Sequence, residues 1–441
     1  MPSHPPDSVV SFPDGQPVRA DDVPRVAEHL FRQEAGRLIS MLTGIFGLER
    51  LQLAEDVVQE ALMRALQVWP FQGLPDEPAA WLFQTARRLA LDVIRREKTF
   101  RIKQPQIVTN VEQQLTELDA RDPQFEAELR DARLRLVFAC CHPALPEEAQ
   151  VALALKTLGG FSTEEIAAAF LCSEPAMAKR LTRARQKIRD ERIPFEIPAG
   201  PELAERLAGV LKVLYLLFNE GYRATSGERL IKEEICAEAI RLARLVADHP
   251  AMGQPAAHAL LALMLFNEAR RPARVDAQGQ LVRLRDQDRA RWDYNRIAEG
   301  LAQLALAAVG QEASDYHLQA GIAACHCTAA DYASTDWARI LCLYDQLLAH
   351  HDSPIYALNR AVAVGQVHGP AAGMEAVEML IHRHELASYP LLYAVMGDFA
   401  VRLERFDVAA DHLREALRLT TLPTEQAFLR QQLRELDQSE G

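Results

Sequence analysis

Aromatic residues are scarce in this chain, and the patterns typical of membrane and β-sheet proteins are missing from it. Phe, Trp and Tyr make up 7% of the 441 residues, whereas 49% of the residues are hydrophobic. No apolar run approaches the roughly 20 residues that a membrane-spanning helix needs. Strict alternation of polar and apolar residues, which predicts strands, is also missing. Ala, Leu, Arg and Glu instead recur at helical spacing, so we expect an all-α fold.

Signals for secretion, disulfides and metal binding are absent too. The sequence MPSHPPDSVVSFPDGQP has no basic stretch followed by an apolar core, and the seven cysteines follow no disulfide framework. CCHP at 140–143 and CHC at 325–327 place neighbouring residues too close together for tetrahedral zinc, which favours buried helix thiols. No phosphate loop or nucleophile elbow occurs. We expect a cytoplasmic protein with no metal, no cofactor and no enzymatic activity.

Charge and proline content divide the chain into five predicted segments. These are a disordered N-terminus at 1–22, a helical block at 23–103, an acidic linker at 104–131, a second helical block at 132–195 and a helical C-terminal segment at 203–441. The formal net charge is -12, yet bases cluster at 81–103 and again at 173–189. Local clusters of this kind suit phosphate binding despite the acidic total.

The second basic cluster lies in GGFSTEEIAAAFLCSEPAMAKRLTRARQKIR, which contains two helix starts close together. Ser162 and Glu165 have the spacing of a capping box, and Ser173 before Glu174 and Pro175 is a good N-cap. Apolar residues of the second helix fall on one stripe, namely Met177, Leu181, Ala184 and Ile188. A short helix, a turn and a capped cationic helix predict a helix-turn-helix. A solvated surface helix is the alternative.

The cationic helix offers two groups of predicted DNA contacts. Its N-terminal positions are best placed to reach base edges, and they are Ser173, Glu174, Ala176, Lys179 and Arg180. Arg183 and Lys187 are better placed to contact phosphates.

Two helical stretches of the front block each show a polar face opposite an apolar one. AEDVVQEALMRALQVW brings together Asp56, Gln59, Glu60 and Arg64, with Val57, Ala61 and Ala65 facing inward. WLFQTARRLALDVIRRE has a predicted core stripe of Leu82, Ala86, Leu89 and Val93. Its other face carries Trp81, Thr85, Arg88, Asp92 and Arg95. Rings and cations on one face suit a melted strand, because bases stack on the rings while the cations neutralise the backbone.

Taken in order, these three motifs and the intervening linker resemble a bacterial RNA polymerase sigma factor of the extracytoplasmic-function group, over roughly residues 23–192. The resemblance implies that Asp56, Gln59 and Glu60, with Arg64 on the same face, bind the polymerase core. It implies a base-capturing loop from Trp69 to Ala80. It also implies contacts to the -10 element from Trp69, Phe71, Trp81, Arg87, Arg88, Asp92, Arg95 and Arg96. The -35 element would be read by Ser173, Glu174, Lys179, Arg180, Arg183 and Lys187.

The rear segment carries a repeat signal. The segment YAVMGDFAVRLERFDVAADHLREAL matches the residue spacing of a tetratricopeptide helix pair. The matching positions are Tyr393, Met396, Gly397, Ala400, Ala409, Leu413 and Ala416. Ala361 lies 36 residues before Gly397, in a looser copy. The architecture resembles the sigma subgroup with a tetratricopeptide-like C-terminal extension, which would modulate activity and could bind a regulatory protein.

The sequence is therefore compatible with three functions. The first is a sigma factor whose partners are the RNA polymerase core and promoter DNA. The second is a helix-turn-helix regulator that acts without the polymerase and would not require the face around Asp56. The third is a peptide-binding repeat scaffold built on 203–441.

Overall fold

A computed structural model describes residues 23–100, 123–170, 172–222, 229–276, 280–309 and 313–439. The predicted disordered N-terminus at 1–22 and residues 104–122 of the predicted linker lie outside the described residues. Helices and short 3-10 turns dominate, and the β-structure found in the described ranges is one isolated bridge between Val275 and Leu281. The predicted all-α fold is confirmed.

The chain divides into two compact units, Met1–Glu220 and Gly221–Gly441. The helices of the first unit are α1 (Val23–Phe46), α2 (Leu51–Gln72), α3 (Pro78–Phe100), α4 (Pro123–Cys140), α5 (Glu147–Thr157), α6 (Thr163–Ala169), α7 (Glu174–Asp190) and α8 (Pro201–Tyr222), which crosses the boundary. α1 packs against α2 and α3, and α7 packs against α5 and α6. Leu42, Leu82 and Phe138 are fully enclosed, because each helix turns its apolar stripe inward.

Two boundaries in the first unit differ from the sequence-based expectation. The resemblance implied a loop from Trp69 to Ala80, but α2 continues through Pro70 to Gln72, and only 73–77 separate it from α3. Gly73 ends the helix with φ 81°, a conformation that suits glycine. α4 begins at Pro123, so the last part of the predicted linker is helical. Acidic residues near a helix N-terminus stabilise the helix through its dipole. A count of charges alone therefore does not distinguish an acidic helix start from an acidic linker.

The second unit is a succession of helices. They are α9 (Arg229–Ala247), α10 (Pro255–Ala269), α11 (Tyr294–Ala307), α12 (Asp315–Thr328), α13 (Trp337–His350), α14 (Pro354–Val367), α15 (Pro370–Glu378), α16 (Pro390–Arg402), α17 (Phe406–Leu419) and α18 (Pro423–Ser439). Proline is the first residue of several of these helices, namely those starting at Pro354, Pro370, Pro390 and Pro423. Proline suits the first helical turn, where its missing N–H has no acceptor in any case.

Two glycines allow α14, α15 and α16 to meet around one aromatic ring. A Cβ added to Gly365 would collide with the Phe399 ring, and one added to Gly373 would lie 2.5 Å from that ring. Phe399 is 1% exposed, so its ring has no room to move aside. The close approach of these helices therefore depends on glycine at both positions.

Replacing Gly365 with Ala should destabilise the second unit. We expect the free energy of unfolding to fall by about 1–2 kcal/mol. The overpacking caused by the added Cβ costs more than the roughly 1 kcal/mol that is gained because alanine has a higher helix propensity than glycine. Urea unfolding measures this change. Val367→Ala on the same helix alters a 36% exposed side chain and should stay within about 0.5 kcal/mol of the parent. Equal stability of the two variants would contradict the packing described here.

Candidate nucleic-acid and partner interface

The polar face of α2 is exposed as predicted. Asp56, Gln59, Glu60 and Arg64 all face solvent, and the Arg64 Nε donates to Glu60 Oε1 at 3.2 Å. Val57, Ala61 and Ala65 occupy the opposite side and are buried. The Glu60 and Arg64 side chains are both exposed, and an ion pair of this kind contributes little to stability. Both side chains are therefore available to a partner.

The end of α2 presents one aromatic ring and buries another. Phe71 is 88% exposed, whereas Trp69 is 1% exposed and packs edge-on against Trp81 with 5.4 Å between ring centroids. The prediction that Trp69 contacts DNA is therefore wrong for this arrangement, because no base can reach its ring. The continuation of α2 through Pro70 turns Trp69 into the core. Trp81 is half-buried, and Phe71 is the accessible ring at this corner.

α3 places most of its predicted DNA contacts on the surface. Arg88, Asp92, Arg95 and Arg96 are exposed. Arg87 is half-buried and donates from Nη1 to Gln84 Oε1 at 3.4 Å. The core stripe is confirmed at Leu82, Ala86 and Leu89, while Val93 is half-buried. Thr85 was expected on the polar face but is 9% exposed, because helix α3 buries a wider strip than the stripe read from the sequence.

The predicted helix-turn-helix is present as α6 and α7. The Ser162 capping box forms in both directions, since the Ser162 N–H donates to Glu165 Oε2 at 2.7 Å and the Glu165 N–H donates to Ser162 Oγ at 3.1 Å. Ser173 is the N-cap of α7 in an extended conformation, and its side chain is exposed. Four residues, 170–173, lie between the two helices, which is a connection length typical of helix-turn-helix motifs.

α7 buries its apolar stripe and exposes cations on its other sides. Met177, Leu181, Ala184 and Ile188 are each at most 3% exposed. The predicted contacts that face solvent are Ser173, Glu174, Lys179, Arg183 and Lys187. Lys187 Nζ lies 2.9 Å from Glu191 Oε1, in a pair that is about half exposed and readily exchanged for a phosphate.

Arg180 is the predicted base reader with the most contacts inside the protein. Its Nη2 lies 2.9 Å from Glu148 Oε2 on α5, and its guanidinium carbon lies 5.8 Å from the centre of the Phe170 ring. The Arg180 side chain is 32% exposed and that of Glu148 is 71% exposed. These contacts hold the Arg180 side chain near Glu148 and Phe170. The side chains of Lys179 and Arg183 are more exposed to solvent.

Arg185 makes a contact that the sequence did not reveal. Its Nη2 lies 2.6 Å from Glu55 Oε2 on α2, with the Arg185 side chain 12% exposed and the Glu55 side chain 4% exposed. Burial raises the pKa of Glu55, and the nearby charges of Arg185 and Lys156 act in the opposite direction. Burial likewise lowers the pKa of Lys156. The partners are 130 positions apart, so no spacing rule pairs them.

The cysteines predicted to be buried are largely so. Cys140, Cys141 and Cys327 are each at most 4% exposed, and Cys325 is half-buried. Burial raises the pKa of Cys140 to about 12.

Within the described ranges, no group of three or more candidate ligands is arranged to hold a metal ion. The helices described here also include none that is long and apolar enough to cross a bilayer.

Comparison with known sequence families assigns three parts of the chain. Residues 30–100 match Sigma-70 region 2, and residues 135–188 match Sigma-70, region 4. Residues 206–308 match a family of unknown function, DUF6596. The two sigma regions cover the α2 and α3 surfaces and the helix-turn-helix, respectively.

Two relatives extend these matches. An uncharacterized protein of Rhizobium meliloti (strain 1021), R00370, is 41% identical over 389 residues, which are 87% of this chain and 90% of the relative. The ECF RNA polymerase sigma factor SigE of Mycolicibacterium smegmatis (strain ATCC 700084 / mc(2)155) is 29% identical over 164 residues, covering 37% of this chain and 60% of that protein.

A helix-turn-helix preceded by a second helical region with its own cationic surface defines a DNA-binding transcription factor. The chain belongs to the same family as the Rhizobium protein, and its Sigma-70 regions 2 and 4, followed by a DUF6596 domain, support a sigma factor of the extracytoplasmic-function type.

Proposed function

We propose that this chain directs promoter-specific transcription initiation by RNA polymerase, reading a -10 element through region 2 and a -35 element through region 4. The observation that carries the proposal is that the exposed face around Asp56 and the helix-turn-helix occur in one unit. A regulator acting without the polymerase needs the second feature but not the first. No catalytic residue is assigned to the chain itself.

In region 2 the proposed roles follow from exposure and charge. The face of Asp56, Gln59, Glu60 and Arg64 binds the polymerase core. Phe71 stacks on an unpaired base of the -10 element, because it is the exposed ring at the end of α2. The surrounding side chains contact the same strand, and they are Trp81, Arg87, Arg88, Asp92, Arg95 and Arg96. Stacking and backbone neutralisation together hold a single strand without requiring a duplex groove.

In region 4 the proposed contacts are divided along α7. Ser173, Glu174, Lys179 and Arg180 lie in its N-terminal half, which enters the groove in helix-turn-helix proteins. Arg183 and Lys187 lie further along and hold phosphates. For Arg180, promoter DNA would replace Glu148, whose mostly exposed carboxylate is a weak competitor.

We propose that the rear unit is a tetratricopeptide-like extension that modulates these activities and binds a regulatory protein. Its support is the α16–α17 pair, in which a Cβ on Gly397 would meet Leu413 at 3.0 Å. Met396, Ala400, Ala409 and Ala416 are buried along the same contact. Small residues at helix crossings are what close-packed helix pairs require.

Phe71→Ala tests the -10 assignment. We expect open-complex formation on a duplex promoter to fall by about 10-fold or more, because stacking of one base on an aromatic side chain contributes about 1–3 kcal/mol. Permanganate reactivity of the -10 thymines measures strand opening. Met63→Ala alters another exposed apolar side chain of α2 and should leave opening unchanged. Equal opening by both variants would remove Phe71 from the site.

A further inference from the structure

Helix α11 of the second unit presents an apolar face to solvent. Among residues 294–309, the exposed ones include one polar residue, Asn295, and no charged residue. Tyr294 is 59% exposed, Leu301 41%, Leu306 52% and Val309 70%. The other exposed positions are Ala298, Ala302, Ala305 and Ala308. A surface helix ordinarily shows charged and polar side chains to solvent, so α11 has the reverse arrangement.

The polar side chains of α11 are engaged inside the second unit. Glu299 Oε1 accepts a hydrogen bond from Arg244 Nε on α9 at 3.2 Å. Gln303 Oε1 lies 2.7 Å from His258 Nδ1 on α10. Arg296 pairs with the N-cap residue of its own helix. These contacts fix the polar side of the helix and leave the apolar side without a partner among the described residues.

The buried side of α11 prevents the helix from rotating to hide its apolar face. Ile297 and Gly300 are buried there, and a Cβ added to Gly300 would lie 2.8 Å from the Phe266 ring of α10. Phe266 is fully buried, so its ring has no room to move aside. The outward direction of Leu301 and Ala302 is therefore set by close packing on the other side of the helix.

The apolar face is large enough to be an interaction surface. Sixteen residues at 1.5 Å each make it about 24 Å long, and half the circumference of a helix about 11 Å across is about 17 Å. Its area is therefore about 400 Å², and exposed apolar patches of this size mark interaction sites in soluble proteins.

The apolar positions are symmetric about a point between Leu301 and Ala302. Ala298 and Ala305 lie at equal distances from that point along the chain. Two antiparallel copies of α11, related by a two-fold axis there, would place Leu301 opposite Ala302 and Ala298 opposite Ala305. A large side chain then faces a small one, and the alanines allow the backbones to approach closely. The same patch thus fits itself, as an isologous interface requires.

The absence of charge favours a second copy of the chain as the occupant. Interfaces with separate partners commonly use complementary charges, which set orientation and exclude wrong partners, and homodimer interfaces are the more apolar kind. Two α11 faces together would bury about 800 Å², which is the size of a weak, reversible interface.

We propose that α11 pairs antiparallel with the α11 of a second copy, so that the chain forms a reversible dimer through its second unit. The dissociation constant is in the micromolar range, about 10 µM, as a small apolar interface implies. The dimer is a property of the free chain, and its measurement requires neither polymerase nor DNA. It therefore stands or falls independently of the proposed sigma function.

Sedimentation velocity of the full-length chain measures the association. Between about 1 and 200 µM, a range that brackets the expected dissociation constant, the mean mass should rise from that of one chain toward that of two. The mass of a single chain at every concentration would overturn the proposal. A monomeric parent whose Leu301→Glu variant loses core binding would assign the face to the polymerase instead.

Leu301→Glu and Ile355→Glu form a matched pair of variants. Leu301 is 41% exposed on α11, and Ile355 is 39% exposed on α14 of the same unit. Leu301→Glu should raise the dissociation constant by about 100-fold or more, because it buries an unpaired charge in the interface. Ile355→Glu adds the same charge and should stay within about twofold of the parent. Equal weakening by both variants would mean that net charge, and not the α11 face, controls association.

A mixture of two variants tests the antiparallel register. Ala302→Lys alone should be monomeric, as Leu301→Glu is, because its ammonium group would be buried without a partner. Mixed together, the two variants should form dimers that contain one chain of each kind, since the introduced carboxylate and ammonium groups then face each other. Such recovery distinguishes a broken interface from misfolding. A mixture that stays monomeric would overturn the antiparallel pairing.

Discussion

Replacing Lys179 and Arg183 together by Ala lowers transcription from a -35-dependent promoter by about 100-fold or more, because each good base or phosphate contact contributes about 1–3 kcal/mol. Both side chains are exposed on α7, so their removal leaves the buried stripe intact. Run-off transcription with saturating core polymerase measures the loss. The variant should still associate with the core, whose proposed docking face lies on α2.

A matched control separates this effect from a change in net charge. Arg430 and Arg434 are two exposed cations one turn apart on α18 in the second unit. Arg430→Ala with Arg434→Ala removes the same charge and should leave the transcript within about twofold of the parent, as surface substitutions usually do. A Lys179/Arg183 variant that loses core association would mean that α7 contacts the polymerase instead of DNA.

Reversing the charge of Asp56 and Glu60 should abolish association with the core polymerase. We expect the dissociation constant of Asp56→Arg with Glu60→Arg to rise by more than about 100-fold, because like charges brought together at an interface cost several kcal/mol. Fluorescence anisotropy of the labelled chain with purified core measures this change. Promoter-dependent transcript should disappear with it, since DNA recognition alone does not recruit the enzyme.

The second unit offers the corresponding control. Asp407 and Asp411 are exposed on α17 with the same four-residue spacing as Asp56 and Glu60, and Asp411 pairs with Arg414 much as Glu60 pairs with Arg64. Their reversal to Arg changes the net charge equally and should leave core binding unaltered. If both reversals weaken core binding to the same extent, the overall charge of the chain and not the α2 face controls the association.

The buried and exposed faces of α2 and α7 were predictable because the spacing of apolar residues along each helix determines them. The buried stripe of α7 and the exposed polar face of α2 lie where the spacing of apolar residues places them. The Ser162 capping box was equally local, because both of its hydrogen bonds span three residues. Within the described residues, such short-range patterns were enough to locate the helix-turn-helix.

Trp69 was expected to contact DNA because the resemblance implies a loop from Trp69 to Ala80, whereas the structure extends α2 past Trp69. Pro70 lies in the last turn of α2, and the helix ends two residues later at Gln72. Pro70 cannot donate to the carbonyl four residues earlier, and burial of the Trp69 side chain helps to offset that cost. The sequence contained the signal in the apolar spacing from Ala61 through Ala65 to Trp69.

The contacts between regions 2 and 4 could not be read from the sequence. Glu55 lies in the same helical run as Asp56, and Arg185 lies among the other bases of α7, so neither stands out by type. Their pairing depends on how α1, α4 and the turn Leu48–Arg50 pack, which is a tertiary outcome.

Reconstituted transcription shows whether this chain gives RNA polymerase its promoter specificity. Purified core polymerase is mixed with the full-length chain and a pool of genomic fragments, and transcript start sites are mapped. We expect transcript starts that require the chain and share two upstream elements at fixed spacing. Transcription that is no different from core alone, together with no association with the core at low or high salt, would rule out the proposed sigma function.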